Sequence, residues 1–90
     1  MFYELETIVH NRKQSPNEGS YTSSLFEKGI NKIAQKVGEE ATEVIVAALG
    51  QGRPEQIGEL ADLFYHAIVL MTELDISLDD VGAELRSRHK

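Results

Sequence analysis

Five carboxylates stand close together between Val37 and Asp62: Glu39, Glu40 and Glu43, then, beyond a break at Gly50–Pro54, Glu59 and Asp62. On a helix of about 3.6 residues per turn, positions three or four apart share a face, so Glu39 and Glu40 each neighbour Glu43, and Glu59 neighbours Asp62. Two antiparallel helices joined by the Gly50–Pro54 link would bring all five into one cleft. Like charges at that spacing repel, and the arrangement calls for a counter-charge. A hard divalent cation supplies one, since Mg²⁺ takes carboxylate oxygens and commonly bridges them to substrate phosphates. The spacing therefore predicts magnesium-dependent phosphate chemistry. Asp62 is nearly the only acid in the apolar stretch Leu60–Met71, so it is expected to be buried or bound to metal. His66, one turn further on, reads either as a hydrogen-bond partner of Asp62 or as a core histidine with both nitrogens satisfied.

The rest of the composition narrows the setting. Ninety residues, 41% hydrophobic and 27% charged, suit one ordinary soluble globular domain spanning 1–90. With no cysteine there is neither a disulfide frame nor a thiolate metal site. No apolar run approaches the ~20 residues that span a bilayer. Met1–Glu6 is acidic where a signal peptide would be basic, so a cytoplasmic protein without membrane association is expected. A net charge of −6 argues against nucleic-acid binding, and an anionic substrate would need a local basic patch or a metal.

The elements that must position the acids read as helices throughout. Phe2, Leu5, Ile8 and Val9 recur at helical spacing and predict a packing helix from Met1 to about Arg12. Lys13–Thr22 is loop, with Ser20 or Thr22 as cap for a short helix over Ser23–Lys28 that turns Leu25 and Phe26 inward and stops at Gly29. A longer helix over Ile30–Leu49 carries an apolar stripe of Ile30, Ile33, Val37, Ala41, Val44, Ile45, Ala48 and Leu49. Lys28, Lys32 and Lys36 follow at four-residue steps. They read as a solvated face with ordinary pairs to Glu39 and Glu40, or as a basic rail steering phosphates to the acids. From Pro54 to about Leu74 the helix is apolar on nearly every side, which one small chain cannot cover; a second copy of the chain completes the bundle in this reading. Ser77 with Asp80 opens a last helix over Leu78–Arg88, ending in the basic run Arg86-Ser87-Arg88-His89-Lys90. The expected fold is an all-α bundle of four to five helices per chain, completed by homodimerisation.

These residues resemble a known set. Glu39-Glu40-Ala41-Thr42-Glu43 followed by Glu59-Leu60-Ala61-Asp62 is similar to the EExxE and ExxD motifs of the all-α nucleoside-triphosphate pyrophosphatase superfamily. Ser20-Tyr21-Thr22, Leu25-Phe26-Glu27-Lys28-Gly29 and Glu84-Leu85-Arg86-Ser87-Arg88-His89 narrow the resemblance to its phosphoribosyl-ATP diphosphatase family, over almost the whole stretch from Ser20 to Lys90. The resemblance implies an ATP-type nucleotide-binding homodimer that hydrolyses phosphoribosyl-ATP to phosphoribosyl-AMP and pyrophosphate, the second step of histidine biosynthesis. Ninety residues leave no room for the cyclohydrolase often fused to such domains, so a stand-alone version is expected.

It further implies Mg²⁺ on Glu40, Glu43, Glu59 and Asp62. Glu39 is the candidate proton acceptor, and Lys28, Lys32 and Lys36 are candidates for neutralising phosphates. Arg86, Arg88 and Lys90 would reach the ribose phosphate or triphosphate, and Ser20, Tyr21 and Thr22 the phosphoribosyl or adenine end. Two other readings compete: a house-cleaning pyrophosphatase acting on another nucleoside triphosphate, and a non-catalytic helical scaffold indifferent to Mg²⁺.

Overall fold

A computed structural model describes residues 1–89. Five helices, α1 (Phe2–Gln14), α2 (Tyr21–Lys28), α3 (Ile30–Gly50), α4 (Arg53–Glu73) and α5 (Leu78–Arg88), make up the architecture, with no strand among the described residues. The all-α expectation holds. α2 begins two residues before its predicted start because Ser20 is the cap: its Oγ accepts from the Ser23 backbone N–H at 3.2 Å. Gly29 then closes one helix and opens the next. Its N–H donates to the Leu25 carbonyl and its own carbonyl accepts from Ile33. Its φ of 95° with ψ of −178° is a region reserved for glycine.

The scaffold for the acids is the α3–α4 hairpin, the most extensive helix contact in the chain. Only Gln51 and Gly52 separate the two helices. Glu55 Oε1 accepts from the Gly52 N–H at 3.0 Å, and Gln56 Nε2 donates to the carbonyls of Ala47 (3.2 Å) and Gln51 (3.1 Å), stitching the end of α3 to the start of α4. α4 ends in a Schellman motif, with Asp75 at φ 59° and the N–H of Ile76 reaching the Met71 carbonyl at 2.8 Å.

Val9, Leu25, Ile33, Ile68 and Val69 form the core where α1, α2, α3 and α4 meet. On α3 the buried line is Ile33, Glu40 and Ala47, a seven-residue spacing, and not the full stripe expected from the pattern. Ile45 (58% exposed) and Leu49 (85%) face outward, as do Ile30 and Ala48, because packing against α4 selects a narrower seam. Ile57, Leu60 and Phe64 of α4, and Phe2 and Ile8 of α1, are also exposed within one chain. α5 buries no residue. It is capped by the reciprocal Ser77–Asp80 bonds (3.0 and 2.9 Å) and tied to α1 by Tyr3 Oη donating to Asp79 (2.7 Å) and the Leu78 N–H donating to Glu6 (2.8 Å).

Candidate active site

Glu40 and Glu43 lie one turn apart on α3, and Glu59 faces them from α4. Each offers a carboxylate oxygen, and the three oxygens lie within 4.8 Å of one another. Glu40 is only 6% exposed because it occupies the hairpin seam. One oxygen of Glu40 and one of Glu59 are buried with no hydrogen-bond partner. Two unpartnered buried acceptors beside a third carboxylate are unfavourable by themselves and suit an oxygen-loving cation. The donor set therefore fits a divalent metal. The same crowding raises the Glu43 carboxyl above its ordinary range, chiefly through a hydrogen bond with Glu59, then through that group's charge and burial.

Other expected site residues divide. Lys36 joins the acids, with Nζ 3.3 Å from Glu39 and 3.5 Å from Glu40; the hydrogen bond to Glu39 is the main reason its ammonium is held more firmly than usual. Glu39 does not enter the group of three. Gln35 Nε2 (2.6 Å) and Lys36 occupy its oxygens and lower its carboxyl below the ordinary range, which makes it a poorer proton acceptor than Glu43. Asp62 follows Glu59 by one turn but is exposed and outside the group of three, so of its two expected settings, buried or bound to metal, burial does not hold. Gly29 separates Lys28, on α2, from Lys32 and Lys36, on α3, so the rail is not one continuous helix face; Lys28 and Lys32 make no ion pair among the described residues. Arg86 lies near Tyr3 on the α1 side, and Arg88 Nε pairs with Glu84 at 2.9 Å, so no hydrogen bond or ion pair links either to the acids among the described residues. Lys90 lies outside the described residues.

The Ser20-Tyr21-Thr22 segment is anchored in place. Ser20 caps α2, the Tyr21 hydroxyl meets His66 Nε2 at 2.9 Å, and Thr22 Oγ1 hydrogen-bonds the Tyr65 hydroxyl. His66 Nδ1 lies 2.8 Å from the Asp62 backbone carbonyl, not from its carboxylate. A carbonyl only accepts, so Nδ1 carries a proton, and in the Nδ1–H tautomer Nε2 receives Tyr21's hydroxyl hydrogen. Of the two readings of His66, the satisfied core histidine is the one observed. Sequence reasoning missed Tyr65 and the cavity of about 670 Å³ beside Ser20, lined also by Arg12, Lys13, Asn17, Phe26 and Glu73. The signal for the cavity was faint: two basic residues just ahead of a Pro/Asn/Gly loop.

Comparison with known proteins matches nearly the whole chain. The family profile described as phosphoribosyl-ATP pyrophosphohydrolase aligns with residues 2–89. A phosphoribosyl-ATP pyrophosphatase of Clostridium botulinum is 52% identical over 86 residues, covering 96% of this chain and 78% of the relative. One from Listeria innocua is 51% identical over 88 residues, covering 98% and 84%. The histidine biosynthesis bifunctional protein HisIE of Oceanobacillus iheyensis is 49% identical over 86 residues, 96% of this chain and 40% of that protein. With an acidic hairpin that fits a metal and a family match over nearly every residue, the chain belongs to the phosphoribosyl-ATP pyrophosphohydrolase family.

Proposed function

We propose that the protein hydrolyses 1-(5-phosphoribosyl)-ATP to 1-(5-phosphoribosyl)-AMP and pyrophosphate, the second step of histidine biosynthesis, with Mg²⁺ held on the α3–α4 hairpin. The observation that carries this is the group Glu40, Glu43 and Glu59, with two buried oxygens that have no partner within the chain. Asp62, on the same face as Glu59 one turn later, is the fourth candidate ligand. Bound there, Mg²⁺ would supply charge for the polyphosphate and a water of lowered pKa. The protein's own residues do the rest. Lys36 presents its ammonium beside Glu40, where a phosphate oxygen can meet it, and Glu39 holds Lys36 in that place. Glu39 is thus a positioning group in this reading. Ser20, Tyr21 and Thr22 bind the sugar or base end, while Arg86, Arg88 and Lys90 act from the partner subunit.

The dimer rests on the outward apolar face of Ile45, Leu49, Ile57, Leu60 and Phe64, which a second copy would cover. No helix among the described residues is long and apolar enough to cross a membrane. A cytoplasmic site of action is part of this reading, on the ground of the proposed biosynthetic chemistry.

Pyrophosphate release from phosphoribosyl-ATP, ATP and dUTP, each with Mg²⁺ and with excess chelator, tests the proposal. Metal-dependent release from phosphoribosyl-ATP alone is expected, and its loss in Glu43→Gln with the dimer intact. Release from the ordinary triphosphates alone would move the protein to the house-cleaning branch. No release from any would return it to the scaffold reading.

A further inference from the structure

His66 is a buried imidazole with both nitrogens committed, and the proposed chemistry makes no use of it. Its two bonds run to different parts of the site. Nδ1–H donates to the carbonyl of Asp62, in the turn that follows Glu59; Nε2 accepts from Tyr21, the first residue of α2, 45 positions away in the chain. The next residue of α2 repeats the pattern, with Thr22 bonded to Tyr65. Adjacent residues of α2 are thus fastened to adjacent residues of α4. The rings pack as a set: Tyr65 and His66 meet edge to face at 4.9 Å, and Tyr21 lies edge to face with His66 at 5.8 Å and nearly parallel to Tyr65 at 6.3 Å. Yet Tyr21 itself remains half exposed. A buried group that spends its acceptor on an exposed aromatic ring fixes that ring's direction at the edge of the site.

We infer that His66 is a positioning residue, which through the Tyr21 hydroxyl sets the orientation of the Ser20–Thr22 segment toward the acidic hairpin and so governs binding of the substrate's non-reacting end. This rests on the functional reading above. The latch meets the acidic residues only at the backbone carbonyl of Asp62 and bonds none of their carboxylates, so its loss should be felt in KM and not in the metal requirement.

The test is a set of substitutions in the full-length protein, followed by phosphoribosyl-ATP kinetics, Mg²⁺ titration of the rate, and thermal melts. His66→Phe should raise KM about tenfold, the scale of one lost hydrogen bond, with kcat and the half-saturating Mg²⁺ within about twofold of wild type. Tyr21→Phe should raise KM at least as much, and in His66→Phe combined with Tyr21→Phe the two effects should fall well short of multiplying, because the Tyr21–His66 bond is the one they share. His66→Gln, whose amide oxygen reaches the place of Nε2, should restore most of the KM; His66→Asn, which reaches only the place of Nδ1, should not.

KM effects that multiply in the double variant, an unchanged KM in His66→Phe, or rescue by Asn and not by Gln would each overturn the inference and reduce His66 to a packing group. Wild-type protein that releases no pyrophosphate would instead sink the functional reading, and this inference with it.

Discussion

Replacing Glu40 by glutamine should stabilise the metal-free protein while destroying its chemistry. Glu40 sits in the hairpin seam with one carboxylate oxygen buried and unpartnered, and the other 3.5 Å from Lys36. An unsatisfied buried acceptor costs about 1–3 kcal/mol. Glutamine keeps the shape and turns an NH₂ donor toward Glu43 and Glu59, which relieves that cost. The weakened Lys36 pair, partly open to solvent, takes back only ~0.5 kcal/mol. A net gain of about 1 kcal/mol corresponds to a rise of roughly 4–8 °C in melting temperature for a domain of this size. With Mg²⁺ the order reverses. At a hundred times its dissociation constant the ion adds about 2.7 kcal/mol to the wild type and little to the variant. Melts at one protein concentration, in chelator and in saturating Mg²⁺, should therefore cross: variant above wild type in the first, below it in the second. Turnover should fall by more than the roughly 10–100-fold that outer-shell partners of a metal typically cost. A variant less stable than wild type in chelator, or one that keeps the full Mg²⁺ gain, would refute the assignment of the buried oxygen to a cation.

The raised Glu43 carboxyl predicts a pH dependence. The folded, metal-free protein holds that proton more tightly than the unfolded chain, so the stabilisation is complete below the ordinary value of 4.5 and is lost as pH rises through the higher folded value. The stability difference between wild type and Glu43→Gln in chelator should shift against wild type over that window; a flat difference curve would contradict it. Ile33→Ala, at a fully buried position, should cost about 2–5 kcal/mol at any protein concentration. Leu49→Arg should spare the monomer fold but make the proposed dimer dissociate in sedimentation experiments; a wild-type monomer or an undisturbed dimer would exclude that face. Asp75→Gly, at a left-handed C′ position, should add about 0.5–1 kcal/mol in denaturant melts, and a loss would mean the aspartate side chain is needed there.

The helices and the acidic hairpin were legible because each is written in local signals. Helical periodicity, Gly29, the Gly50–Pro54 break and Ser77 with Asp80 fall where the structure places them. The spacing of Glu40, Glu43 and Glu59 was enough to bring them together. What the pattern did not resolve was rotation. It could not say which of several apolar lines on α3 packs on α4, so Ile45 and Leu49 read as inward-facing, and of the two readings of Asp62, buried or metal-bound, burial fails. Nor could it place contacts between distant segments: Tyr21 and Thr22 meet His66 and Tyr65 through tertiary packing alone. Family resemblance, not physics, carried the substrate.

All three clustered acids come from one helical hairpin with a two-residue link, and that has a consequence for how the chain folds. Contacts so near in sequence close quickly, whereas docking of α5 onto α1 must wait for the ends of the chain to meet. The hairpin is thus a natural nucleus, and it carries its electrostatic conflict into the transition state. A cation that binds there would accelerate folding more than it retards unfolding, and low ionic strength without one would slow folding at its first step.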